Sequence, residues 1–220
     1  MNVVNSMRMR NVKNKDEILN NSEYFIGDPF QYMGSWNKVF KNNNPIYLEI
    51  GMGKGKFIRE NAKVNPNINY IGLERYDSII AKCLPKIEQN TKNLVIVRAN
   101  AIGIDKIFNH EIDCLFLNFS DPWPKVRHHS RRLSSEVFLK KYDQIFKKEI
   151  NIHMRTDNTD LFAYSLESFS NHGLYLHDVS LNYHLTCKDE LITTEYEDKF
   201  SSNDIPICHV IADKTKCLNK

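Results

Sequence analysis

Three groups of residues have the types and the spacing to act together on one ligand. The first is the run Gly51-Met52-Gly53-Lys54-Gly55, directly after an apolar stretch at residues 46–50. Glycines between a strand and a helix permit a tight turn with positive φ and let a ligand approach the backbone closely. A dinucleotide fingerprint would need glycine or alanine at position 56, where this chain has Lys56. The spacing is therefore G-x-G-x-G. Glu49, just before the turn, disfavours a dianionic pyrophosphate and suits a ligand carrying ammonium and sulfonium charges. The second group is Glu74, which lies 74 − 51 = 23 residues beyond Gly51 and closes the apolar run 70–73. An acid about 20 residues past such a turn is placed to accept hydrogen bonds from ribose hydroxyls. Turn and acid together favour a nucleoside cofactor, and S-adenosylmethionine fits better than NAD.

The third group is the stretch 117–132, L-N-F-S-D-P-W-P-K-V-R-H-H-S-R-R. Asp121 follows an apolar strand at its carboxyl end. Pro122 and Pro124 fix their own φ and remove two backbone donors, which makes a stiff turn. Trp123 between them could stack on a base or cover a cleft. Lys125, Arg127, His128, His129, Arg131 and Arg132 follow within eight residues, a cluster that resembles a phosphate-contacting patch. Taken singly, the tryptophan reads as packing and the cations as a solvated face. The histidine pair has no cysteine or carboxylate at ligand spacing, so no metal is expected. The joint pattern is what favours a nucleic-acid partner.

Positioning these groups falls to alternating elements. Strand-like runs lie at 46–50, 70–73, 94–97, 112–119, 150–154, 175–181 and 205–212. Helical patterns separate them, with Phe57, Ile58, Ala62 and Val64 on one 3.6-residue face. Further helices are expected at 78–89, where Pro85 should cause a kink, at 135–146 and at 161–169, with a weak helix or turn at 102–108. Strands alternating with helices need crossover connections, hence a mostly parallel seven-stranded sheet with helices on both faces, a Rossmann-like α/β fold. Ligands of such sheets sit at the carboxyl ends of the strands, where all three groups fall.

Composition sets the outer limits. With 220 residues, 41% hydrophobic and 26% charged, the chain fits one domain rather than a disordered or fibrous protein. Residues 21–220 are expected to form it, with 1–20 a basic N-terminal extension. That extension carries Arg8, Arg10, Lys13 and Lys15 and no apolar core, so neither a secretory signal nor a membrane span is expected, and the protein should stay in the cytoplasm. A net charge of +3 is too mild to identify a nucleic-acid binder by itself. The five cysteines, Cys83, Cys114, Cys187, Cys208 and Cys217, are odd in number and never spaced C-x-x-C. Reduced thiols are expected rather than disulfides or zinc.

The motifs L-E-I-G-M-G-K-G at 48–55, N-Y-I-G-L-E at 69–74 and L-N-F-S-D-P-W-P-K at 117–125, with R-H-H-S-R-R behind the last, resemble those of the bacterial tRNA (guanine-N7-)-methyltransferase family. W-N-K-V-F at 36–40, R-T-D at 155–157 and T-E-Y-E at 194–197 complete the set. The resemblance implies a class I methyltransferase fold and methyl transfer from S-adenosylmethionine to N7 of a variable-loop guanine in tRNA. By position it implies cofactor contacts at Glu49, Gly51, Gly53, Glu74, Asn100 and Asp121, with Asp121 catalytic. The guanine side would be Lys125, Asp157, Thr194, Glu195, Tyr196 and Glu197, and tRNA contacts Arg127, His128, His129, Ser130, Arg131 and Arg132. This sequence departs from the family at Ser120, where proline is usual, at Asn100, where aspartate is common, and at Arg155, where lysine is usual. It also lacks the proline-glycine turn expected before the fifth strand, near Lys147 to Glu149. The rival readings are an exocyclic-amine methyltransferase, an inactive RNA-binding module and, more distantly, a nicotinamide oxidoreductase. A monomer or a homodimer is expected.

Overall fold

The computed structural model of the chain describes residues 12–187, 192–200 and 205–214; most of the basic extension and Cys217 lie outside them. The elements run α1 (Lys15–Asn21), β1 (Phe25–Ile26), α2 (Trp36–Phe40), β2 (Ile46–Ile50), α3 (Lys56–Val64), β3 (Asn69–Glu74), α4 (Asp77–Cys83), β4 (Leu94–Arg98) and β5 (Cys114–Asn118). They continue with α5 (Glu136–Ile145), β6 (Asn151–Thr156), α6 (Thr159–Asn171), β7 (Tyr175–Ser180), α7 (Tyr183–Thr186), α8 (Glu195–Phe200) and β8 (Cys208–Asp213).

One sheet contains all eight strands in the order β1-β4-β3-β2-β5-β6-β8-β7. Pairing is parallel from β1 through β6, and only β8 runs antiparallel to its neighbours β6 and β7. The sheet thus has one strand more than the seven expected. The addition, β1, pairs only Phe25 with Ile96 and Ile26 with Val97, and two residues are too few to show a period of two. The helix expected at 78–89 also ends early. α4 stops at Cys83 and a 3₁₀ turn, Leu84–Lys86, takes over with Pro85 in its first positions, because proline cannot donate the helical hydrogen bond.

Alternation along the central strands builds two apolar layers. Leu48, Ile50, Ile71, Leu73, Leu115 and Leu117 face α2, α5 and α6. Tyr70, Leu94 and Ile96 face α1, α3 and α4 through Leu19, Ile58 and Ile80. All six residues of β3 are buried, as expected of a parallel strand covered on both faces. Trp36, fully buried, donates its indole N–H to the Ile107 carbonyl at 2.9 Å, so the W-N-K-V-F segment buttresses the core. Cys83, Cys114 and Cys208 are buried free thiols. Among the described residues no helix is long and apolar enough to cross a membrane. Because β2 to β6 run parallel, their carboxyl ends and the turns that follow share one edge of the sheet.

Candidate active site

That edge carries a cleft of about 690 Å³. Gly51, Glu74, Asn100 and Asp121 line it, each at or just beyond the carboxyl end of a different strand. Gly51 and Gly53 have φ of 76° and 58°, and a Cβ on either would meet nothing within 4 Å. The space beside them is open for a ligand. Gly55 differs, since a Cβ there would collide with the Cys83 sulfur; it is required by packing of α3 on α4.

Glu74 is 8% exposed. One of its oxygens accepts from the backbone N–H of Arg75 at 2.8 Å and of Tyr76 at 3.1 Å. Burial raises its pKa, opposed by these amides and by that of Gly53, so the side chain ties the glycine turn to the end of β3. Asn100 caps a 3₁₀ turn, Ala101–Lys106, through its side-chain oxygen, which leaves its amide nitrogen as the donor it could offer a ligand. Asp121 is 70% exposed at the side chain, with Arg75 at 4.0 Å, a separation in solvent worth little energetically.

Glu49 has a different place from the four cleft groups. Alternation turns it to the face of β2 that carries Tyr47, away from Ile50, which lines the cleft. It is 1% exposed; one oxygen accepts from the Asn118 amide at 2.9 Å and the other has no partner. Burial pushes its pKa up to about 8, against the hydrogen bond from Asn118 and the charge of Arg155 and helped by Glu195 and Glu197. A buried, unpartnered carboxylate oxygen is the group here able to take a cation such as an ammonium.

The T-E-Y-E segment divides its work. The Thr194 N–H donates to Glu197 at 2.8 Å, and the Glu197 N–H donates to the Thr194 hydroxyl at 3.0 Å. This is a reciprocal capping box at the start of α8. Glu197 is fully buried, 3.7 Å from Arg155 and 3.3 Å from His184. Glu195 accepts from the Lys56 backbone N–H at the start of α3, while the Lys56 ammonium bonds Thr193 and Asp198. Tyr196 is the exposed residue of the four and packs beside the cleft. Its hydroxyl donates to Asp157 at 3.2 Å and its ring lies 4.8 Å from that of Phe119, which lines the cleft. Arg155 donates to the Ile192 carbonyl and lies over the rings of Phe57 and Tyr183, so it secures the segment leading into α8.

In the turn after β5, Phe119 and Trp123 have φ of 51° and 42°. Bulky residues rarely occupy that region unless their surroundings hold them there. Lys125 and Arg127 are exposed. Arg131 lies over the Trp123 ring at 5.0 Å and, with Ser130, lines the cleft; His128 meets the same ring edge-on, and His129 packs on Tyr164. Arg132, expected with the tRNA contacts, is instead buried at 4% exposure. Its neighbours point outward because residues 126–131 form a 3₁₀ turn that carries Arg132 under the preceding loop. Sequence reasoning named neither Asn118 and Phe119 nor Arg75 as site residues. Their positions at the strand ends were the available signal.

Comparison with known proteins follows the same lines. The model of a family described as putative methyltransferase matches residues 43–210. A tRNA (guanine-N(7)-)-methyltransferase of Lachnoclostridium phytofermentans is 46% identical over 213 residues, covering 96% of this chain and 100% of that protein. One from Bacillus subtilis (strain 168) is 46% identical over 204 residues, covering 91% and 96%. Among solved structures, the 16S rRNA methyltransferase KamB superposes with a TM-score of 0.59 at 13% identity, covering 83% of this chain and 94% of that one. The 16S rRNA (adenine(1408)-N(1))-methyltransferase from Catenulisporales acidiphilia gives 0.57 at 14% identity, covering 84% and 92%. At such identity the structural likeness speaks for the fold, a class I methyltransferase sheet.

Proposed function

The chain belongs to the tRNA (guanine-N(7)-)-methyltransferase family, and from that premise we propose that it methylates a variable-loop guanine at the cleft edged by Gly51, Glu74, Asn100 and Asp121. The observation that carries this reading is the convergence of those four groups on one cleft with an exposed cationic rim. S-adenosylmethionine, when bound, supplies an electrophilic methyl group on a positively charged sulfur. The open cradle at Gly51 and Gly53 and the acid at Glu74 fit its nucleoside, and the unpartnered oxygen of Glu49 fits a cationic end.

Guanine N7 carries an in-plane lone pair and needs no deprotonation, so the residues have no general-base task. Their work is alignment, which in well-oriented systems contributes about 7–11 kcal/mol. Asp121 and Asp157 accept hydrogen bonds from the N1 and exocyclic amino donors of guanine and offset its developing positive charge. Tyr196 orients Asp157, and Glu197 serves by holding α8. Lys125, Arg127 and Arg131 meet the RNA backbone, with His128, His129 and Ser130 at the same rim. An RNA helix hides N7 in a deep, narrow groove, so the target must lie in a loop or open locally; the variable loop meets that condition. A tRNA substrate also implies a cytoplasmic enzyme, acting as a monomer or a homodimer.

The test is methyl transfer to unmodified tRNA, with the modified atom mapped by mass spectrometry of the digested product. N7-methylguanine from the variable loop is expected, and replacing that guanine should abolish incorporation. Methyl on an exocyclic amine would overturn the assignment of the atom, and incorporation that survives the replacement would overturn the position.

A further inference from the structure

We propose that Arg132 is a positioning residue for the methyl-transfer cleft, clamping the turn that presents Asp121, rather than a contact to RNA phosphate. The turn cannot hold itself. Pro122 and Pro124 have no N–H to give, and Phe119 and Trp123 on either side of Asp121 both occupy the left-handed region. Phe119 is held from β6, its N–H donating to the Arg155 carbonyl at 2.9 Å. The far side of the turn is held by Arg132, whose Nε donates to the Pro122 carbonyl at 2.8 Å and whose Nη2 donates to that of Trp123 at 3.4 Å.

Burial and its bonds to the two backbone carbonyls separate this guanidinium from the cations around it. It is 4% exposed, whereas Lys125, Arg127 and Arg131 are exposed. Its planar group lies 4.4 Å from the centre of the Tyr164 ring on α6, which fixes its orientation from below. Among the described residues it has no carboxylate within ion-pair distance, so the two loop carbonyls are its anchoring acceptors. At 4% exposure it offers a phosphate almost no surface. The fork geometry matters as well: a guanidinium can span two adjacent carbonyls with separate nitrogens in one plane, and an ammonium cannot reproduce that arrangement.

The inference rests on the methyl-transfer reading of the cleft, and the experiment keeps the two apart. Wild type, R132K, R132A and the double variant R127A/R131A are assayed on tRNA at saturating S-adenosylmethionine, with tRNA binding titrated against salt. If the turn slips by about 1 Å, kcat should fall about 100-fold in R132A and about tenfold in R132K. The KM for tRNA and the salt dependence of binding should stay within about twofold of wild type, because no phosphate contact is lost. Millimolar guanidinium should restore part of the R132A rate by reoccupying the slot. R127A/R131A should act on binding instead, raising the KM for tRNA and flattening the salt dependence that R132A and R132K keep. A flattened salt dependence in R132K would make Arg132 a phosphate contact. Unchanged kcat in R132K would show that the turn needs no clamp, and a fall in kcat that only tracks lost folded protein, without guanidinium rescue, would make it a packing residue. If R132A does not fold, R132K carries the kinetic and salt readouts alone. An inactive wild type would instead sink the methyl-transfer reading itself.

Discussion

Two sets of carboxylates flank the glycine turn, and they are used in opposite ways. On the cleft side, Asp121 is exposed and Glu74 is buried with its oxygen turned to the edge of the glycine loop. On the α8 side, Glu49 and Glu197 are buried and Glu195 is partly buried, the last two engaged with backbone N–H groups at the starts of α8 and α3. Exposure sets Asp121 apart, whereas Glu74 lines the cleft while buried and bonded to two backbone N–H groups. An acid in solvent at a strand end costs the fold little and is free to meet a ligand. An acid out of water must be satisfied by the protein, and then it holds segments together. The acids of one family motif set therefore need not share a task.

The comparison breaks most visibly at Asp121. Asp121→Ala should lower kcat by a factor of about 10²–10³, the usual cost of losing one preorganised electrostatic group. The melting temperature should hardly move, since exposed substitutions usually stay within about 0.5 kcal/mol. Turnover near wild type would remove Asp121 from the chemistry. Glu197→Ala sharpens the other side. It takes away half of the capping box and leaves Arg155, only 12% exposed at its side chain, without its carboxylate. Breaking such a buried pair costs about 3–5 kcal/mol, and at roughly 2–4 °C per kcal/mol in a chain of this size calorimetry should record a large drop. An unchanged melting temperature would mean that α8 is held by something else.

How far this division could be read in the sequence depends on the element. Gly51, Glu74 and Asp121 were legible because each follows an apolar run at its carboxyl end, and a parallel sheet brings those ends to one edge; Asn100 came only with the family resemblance. The capping box was legible in principle, since Thr194 and Glu197 have the required spacing, whereas the resemblance implies a substrate-side place for the same pair. Arg132 could not be sorted from Arg131 by composition. Only the 3₁₀ geometry of residues 126–131 turns one outward and its neighbour under the loop. Strand β1 escaped for want of length, and that Glu49 lies on the face of β2 opposite Ile50 follows from alternation only once Ile50 is known to line the cleft.

Glu49 gives the smallest and most diagnostic effect. Its folded pKa is raised from 4.5 to about 8, so the folded protein holds a proton that the unfolded chain has already released. The stability this contributes is fully present below pH 4.5 and is lost as pH rises toward 8. His153 has the opposite sign. Burial lowers its pKa from 6.5 to about 4, so its contribution is present above 6.5 and lost as pH falls toward 4. The two trends oppose each other in the acid range, but above pH 6.5 the histidine contribution is level and the slope of Glu49 remains. Melting curves of the ligand-free protein between pH 6.5 and 8 should therefore show stability falling in wild type and a flatter profile in Glu49→Gln. Adding the methyl donor to wild type should flatten it as well, if a cation then meets the unpartnered oxygen and draws the pKa down. Parallel slopes in wild type and Glu49→Gln would show that Glu49 is ionised throughout, and the contrast between the two sets of acids would then rest on Glu195 and Glu197 alone.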